Sequence, residues 1–235
     1  FHFSYKLFCI INHEFLNMYI IATIKPWNIN NFKKINTKKF ILIQNPKKLT
    51  FKNLKKINPK YIFFPHWSSK VSKKIIDNFF CICFHETDLP YGRGGSPIQN
   101  LIIRNKKKSK ITAFKMTNHI DAGPIIMKEN ILLNGNASKI FQNCSKIIFK
   151  MIKKIVSSNI NLKPQKGKVK YFKRLKNNSK IDLNDNSLNK IFNKIRMLDA
   201  ETYDKARLVL NNFNYEFFDV IKKQNYLKAK VIIKK

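Results

Sequence analysis

Between Met18 and Phe84, short apolar runs alternate with stretches whose apolar residues recur at helical spacing, and this alternation limits the fold more than any other feature. Met18 to Lys25, Phe40 to Gln44, Tyr61 to Phe64 and Phe79 to Phe84 read as buried strands. Between them, Pro26 opens a helix through Ile35, Thr50 caps a short helix over Phe51 to Ile57, and Ser69 to Asn78 alternates Lys with Val and Ile. Strands that alternate with helices predict an α/β, doubly wound, mostly parallel Rossmann-like sheet. Ile111 to Met116 and Ile125 to Leu133 read as further strands, and Ala137 to Ser158 as a long amphipathic helix. Lys25-Pro26-Trp27 follows the first strand where a dinucleotide-binding sheet would carry its glycine-rich turn, which argues against a nicotinamide enzyme.

One stretch, Cys81 to Ile126, carries the residues suited to chemistry. Its strand ends at His85, and a polar loop with Gly92, Gly94 and Gly95 follows. Ser96 is placed to cap a helix with Pro97 at its first position. Lys106 to Lys108 reads as a solvated turn, and after the next strand comes one carboxylate, Asp121, just before Gly123-Pro124. Taken alone, a His at a strand end is a loop residue and an Asp before Gly makes a turn. Together they bring an imidazole and a carboxylate past two strand ends, at the edge where open α/β sheets bind ligands.

These residues resemble the folate-dependent formyltransferase family. His85, Thr87, Leu89 and Pro90 fit its Asn-x-His-x-Ser-Leu-Leu-Pro block, with Thr87 for Ser and Asp88 for the first Leu. Arg93, Gly94, Pro97, Ile98 and Gln99 fit its second block, and Asp121 with Gly123 its third. The family's Asn, two residues before the His, is Cys83 here. The resemblance implies catalytic roles for His85 and Asp121, with Cys83 at the Asn position. It further implies a pocket for 10-formyltetrahydrofolate lined by Pro65, His66, Trp67, Thr87, Leu89, Gly94, His119 and Ile120. Arg93, Gly95, Ser96 and Gln99 would then face the acceptor. No metal is implied, and Cys81 and Cys83 have no His or Cys partner at metal-ligand spacing.

The wording around His85 is most similar to the short members that formylate amino sugars, including those near the pseudaminic-acid pathway. The expected acceptor is therefore the amine of a nucleotide-linked amino-dideoxy sugar. Methionyl-tRNA is the alternative, as is an impaired member that only binds its ligands. Formyl transfer needs a base for the amine, a donor to the oxyanion and an acid for the leaving nitrogen. A His can exchange a proton near neutral pH. Cys83 donates only weakly through sulfur where an amide would donate well.

The domain reading is an upstream extension over 1–17, a catalytic domain over 18–158, a linker over 159–183 that packs back through Tyr171 to Arg174, and a small C-terminal α+β part over 184–235. That part contains a helix at Leu188 to Leu198 and antiparallel strands at Arg207 to Asn211, Tyr215 to Val220 and Leu227 to Ile233. It resembles the truncated appendage of sugar formyltransferases, and its shortness argues against a tRNA acceptor. A homodimer is compatible with the sequence. The formal charge of +34, from 47 Lys+Arg against 13 Asp+Glu, is spread along the chain. Such a spread fits a compositional bias to Lys, Asn and Ile better than a nucleic-acid footprint, although a positive field would still draw in anionic ligands. The four Cys are read as cytoplasmic thiols, and no apolar run approaches the roughly 20 residues of a membrane span.

Overall fold

The computed structural model describes residues 18–35, 37–175, 179–182, 184 and 187–235. The extension expected over 1–17, with Cys9, lies outside the described residues. In chain order the elements are β1 (Tyr19–Ala22), α1 (Pro26–Phe32), β2 (Phe40–Ile43), α2 (Phe51–Ile57), β3 (Tyr61–Pro65), α3 (Lys73–Asn78) and β4 (Cys81–His85). They continue as β5 (Tyr91–Gly94), α4 (Pro97–Ile103), β6 (Lys108–Lys115), β7 (Ile125–Leu132), α5 (Ala137–Val156), β8 (Lys170–Phe172), α6 (Leu188–Leu198), β9 (Ala206–Leu210), β10 (Phe213–Lys222) and β11 (Leu227–Lys234). They gather into two compact units. Among the described residues, one holds residues 18–85 with Thr112–Lys128 and Ser145–Lys166; the other holds Glu86–Ile111, Glu129–Cys144 and those from Gly167 to Lys235.

The first unit is built on a sheet of order β2-β1-β3-β4-β6-β7. β1, β2, β3 and β4 pair in parallel, and β6 runs antiparallel to β4. The mostly parallel α/β sheet expected from the sequence is therefore present. Parallel strands are covered on both faces, so they read as unbroken apolar runs. Ile20, Ile21, Ile62, Phe63 and Ile82 are fully buried. On one face Ile20, Ala22, Ile62, Phe64 and Cys81 pack with Leu54 of α2 and Ile75 of α3.

Local capping sets where these helices begin. The Thr50 hydroxyl accepts the Asn53 backbone N–H at 3.2 Å, as expected, and Asn58 ends α2 in the left-handed region at φ 47°. α3 begins at Lys73 rather than Ser69, because the Ser72 hydroxyl accepts from the Ile75 backbone N–H. In α5 the Ser145 hydroxyl donates to the Trp27 carbonyl and accepts from Asn31 at 2.7 Å, tying this helix to α1 inside the unit.

In the second unit β5 and β8 form a two-stranded parallel sheet, while β11-β10-β9 form an antiparallel one. The stretch Tyr91 to Gly94, expected as loop, is thus a strand. Gly94 has φ +103°, and a Cβ there would lie 2.5 Å from the Phe172 carbonyl oxygen, so only glycine lets β8 come this close. Ser96 stands at the head of α4 in the left-handed region, at φ 50°, and makes no cap. Its hydroxyl accepts instead from the Leu175 backbone N–H. The Asn100 amide crosses from α4 to the Lys173 carbonyl at 2.9 Å. Buried Arg196 of α6 donates to the Leu133 and Gly135 carbonyls, and Asp199 binds Lys205, Asn136 and the Asp219 backbone N–H. Among the described residues, no helix is long and apolar enough to cross a membrane.

Leu54 is fully buried on α2 against the sheet. Leu54→Ala should lower the unfolding free energy by about 2–5 kcal/mol, the range for a core leucine that leaves a cavity, as read from urea denaturation.

Candidate active site

His85 is the last residue of β4 and is 6% exposed. Strand alternation puts Cys81, Cys83 and His85 on one face. Asp121 lies between β6 and β7, and its Oδ2 is 3.7 Å from His85 Nδ1. That is beyond a direct hydrogen bond but within ion-pair range, and catalytic contacts are often this loose before substrate arrives.

The two residues do not meet because two strands end at one edge. β6 is antiparallel to β4, so its last residue, Lys115, stands opposite Ile82, and Thr112 stands opposite His85. The loop over 116–124 must bring Asp121 back to the imidazole. Its base is closed by Met116 N–H to the Cys81 carbonyl at 2.8 Å and Lys115 N–H to the Pro124 carbonyl at 3.0 Å. Gly123 is obligatory, because a Cβ there would fall 1.7 Å from the Lys115 carbonyl oxygen. Asp121 itself sits at φ +49°, a left-handed conformation that Asp tolerates better than most residues. Farther out, Asn118 donates to the Asp77 carboxylate, which also binds Lys73 at 2.6 Å. His119 and Ile120 are exposed, Ile120 at 70%, so an apolar surface lies open beside Asp121.

Cys83 points to the apolar cluster formed by Ile62, Phe64 and Cys81, with its Sγ 4.0 Å from the Phe64 carbonyl oxygen and 3.9 Å from that of Phe84. Burial pushes the neighbouring Cys81 thiol up to about 12, with Lys115 partly opposing, and lifts Cys144 well above the usual thiol range. Both therefore stay protonated and inert at neutral pH.

Pro65 ends β3, and His66 turns at φ 49°. Trp27 Nε1 donates to His66 Nδ1 at 3.2 Å. An indole N–H can only donate, so Nδ1 is an acceptor and the ring proton sits on Nε2. Burial, with the nearby Lys25 charge, holds the imidazole down at about 3. The Asn28 amide, fully buried, ties the Thr23 hydroxyl to the Pro65 carbonyl at 2.9 and 3.0 Å. Trp67 packs edge-on to Phe64. The His66 ring is thus held by the body of the unit.

Thr87, Leu89, Arg93, Gly94, Gly95, Ser96 and Gln99 belong to the second unit. Thr87 and Leu89 are buried, and the Thr87 hydroxyl donates to the Gly92 carbonyl at 3.4 Å. Gln99 is 2% exposed; its amide donates to the Met197 carbonyl and hydrogen-bonds Tyr203. Arg93 is half-buried, and Gly95 packs against Arg174. Among the described residues, no cluster of three or more His, Cys, Asp or Glu could hold a metal.

Two residues escape the sequence reading. Asn28 lies in the first turn of a helix and Gln165 in a polar linker, and neither carries a motif. Yet the Gln165 amide donates to the carbonyls of Asp121, at 2.9 Å, and Gly123, at 2.8 Å.

The family "Methionyl-tRNA formyltransferase, C-terminal domain" matches residues 176–234. A solved methionyl-tRNA formyltransferase from Clostridium thermocellum is 45% identical, superposes with a TM-score of 0.88, and is covered over 99% of its chain by 93% of this one. The methionyl-tRNA formyltransferase of Thermodesulfovibrio yellowstonii is 32% identical over 154 residues, which is 62% of this chain and 50% of that protein. This chain spans about half the length of the curated relatives it matches, 50% and 54% for two of them. A 4-N formyltransferase from Francisella tularensis shares the fold, with a TM-score of 0.62 at 16% identity over 83% of this chain and 93% of that one. The C-terminal part thus matches a domain named for the tRNA enzymes.

His66 generates a prediction about acid stability. Its folded value of about 3 lies below the unfolded imidazole near 6.5, so the unfolded chain binds the proton first. The stability it contributes is full above pH 6.5 and is lost as pH falls from there toward 3, by up to about 1.4 kcal/mol per pH unit. Urea titrations at pH 7 and pH 5 should show this loss, and His66→Gln should flatten it. A His66 imidazole that titrates near pH 6.5 by NMR would overturn the assignment.

Proposed function

As this chain belongs to the formyltransferase family, we propose that it moves a formyl group from 10-formyltetrahydrofolate to the amine of methionyl-tRNA. The acceptor rests on one observation: the likeness to the Clostridium thermocellum methionyl-tRNA formyltransferase over nearly the whole of both chains, at 45% identity. The amino-sugar acceptor expected from the wording around His85 has weaker support, because a sugar N-formyltransferase from Shewanella sp. FDAARGOS_354 is related at 18% identity, which speaks for fold alone. The charge of +34 also suits an acceptor bound through its phosphates.

The chemistry is carried by His85. Its imidazole takes the proton from the attacking amine, and later returns it to the leaving nitrogen. Asp121, 3.7 Å from Nδ1, holds the ring in one tautomer and stabilises the imidazolium that forms. The exposed Ile120 beside Asp121 offers an apolar face to a flat folate ring. Oxyanion stabilisation is the weak part. Cys83 replaces the amide of the resembled family, and its thiol lies beside the Phe64 carbonyl. Losing one such donor typically lowers the rate by roughly 100- to 1000-fold, unless another donor stands in.

Incubation with 10-formyltetrahydrofolate and either methionyl-tRNA or a panel of nucleotide-linked amino sugars, read by mass spectrometry, tests the acceptor. Formylated methionyl-tRNA is the expected product, and formylated sugar alone would overturn the reading. His85→Ala should abolish turnover, with folate still bound by titration; retained turnover would remove His85 as the base. Cys83→Asn should raise kcat if the missing amide is what limits the enzyme, and a fall in kcat would give the thiol a role of its own.

A further inference from the structure

We propose that Gln165 is a positioning residue that holds Asp121 against His85. This rests on the reading of His85 and Asp121 as the catalytic pair. The geometry comes from the segment after α5. Lys163 and Ile125 exchange both backbone hydrogen bonds, at 2.7 and 2.9 Å, as an antiparallel bridge. Counting back along that pairing sets Gln165 opposite Gly123. Within 161–171 every residue is exposed except Gln165, so this side chain alone is drawn in from a polar strap.

What it touches explains its place there. Both hydrogens of one amide nitrogen are used, on the Asp121 carbonyl at 2.9 Å and the Gly123 carbonyl at 2.8 Å. Those two carbonyls flank the tightest part of the loop. Asp121 is held at φ +49°, and Gly123 presses on the Lys115 carbonyl so closely that no Cβ fits. The Asp121 carboxylate lies 3.7 Å from His85 Nδ1. A carboxylate goes where its backbone carries it, and Gln165 grips that backbone on either side of Ala122. Serving two carbonyls requires two donors on one atom. A carboxylate at this position, acceptor-only when ionised, would repel both.

The test uses the full-length protein with Gln165→Ala and with Gln165→Glu, which keeps the shape and loses the donors. Three readouts are taken: kcat and KM, the pH profile of kcat/KM, and the titration of the His85 imidazole by NMR in the protein without ligands. Displacing Asp121 by an ångström should lower kcat by roughly 10- to 100-fold in both variants, with KM changed little. The acid limb of the profile and the His85 titration should both change, as the carboxylate is displaced from the ring. Wild-type kcat, or an unmoved His85 titration in either folded variant, would overturn the proposal. A fall in activity that tracks only a lower Tm, with His85 unmoved, would overturn it as well. If the wild-type protein formylates nothing, the functional reading fails, while the imidazole titration still decides whether Gln165 positions Asp121.

Discussion

The reversal of β6 against β4 is the constraint on which the site depends. Were β6 parallel, its end would emerge beside His85, and a carboxylate a few residues later would reach the ring directly. Because it is antiparallel, Lys115 leaves the sheet opposite Ile82, three residues short of the histidine. The chain must then travel back, and each unusual feature of the loop serves that return: Gly123 packed on its own strand, Asp121 in the left-handed region, and two carbonyls gripped by an amide. The sheet supplies a rigid histidine, while the carboxylate rides on a segment that has to be tied down. Precision at the pair is therefore set by the weaker support.

Polar groups behind β1 and β3 have a different task. Asn28, Thr23 and Trp27, all buried, form a hydrogen-bonded group with half-buried His66. A neutral His66 fits there because its Nδ1 already accepts from Trp27 and a charge would be stranded away from water. This makes His66 and His85 chemically unlike, although both follow strands. One is locked in a single protonation state by burial. The other stands 3.7 Å from a carboxylate.

β1, β3 and β4 were legible because they are buried on both faces, which leaves each an unbroken apolar run. The cap at Thr50 was legible from a hydroxyl at the right offset. Ser96 misled for the same reason: its hydroxyl had a competing donor, the Leu175 backbone N–H, nearly eighty residues away. β5 was invisible because two of its four residues are glycine, a poor strand former, and its pairing with β8 is remote in sequence. His85 and Asp121 were found through family resemblance, since periodicity gave only two ordinary loop residues. Gln165 gave no signal of any kind. Its partners are backbone carbonyls more than forty residues back, and carbonyls carry no side-chain identity to read.

The same reasoning bears on the acceptor. A short C-terminal part weighed against tRNA only on the assumption that a tRNA enzyme needs a full second domain. The Clostridium thermocellum protein carries the methionyl-tRNA name and is matched over 99% of its chain by this one. What such a small part can offer is the antiparallel sheet β9 to β11, where Lys228, Lys230 and Lys234 share exposed positions with Val231 and Ile233. A polyanion is recognised mainly by the number of cations it can neutralise, and far less by enclosed area. The 47 basic residues of this chain can supply cations in such number.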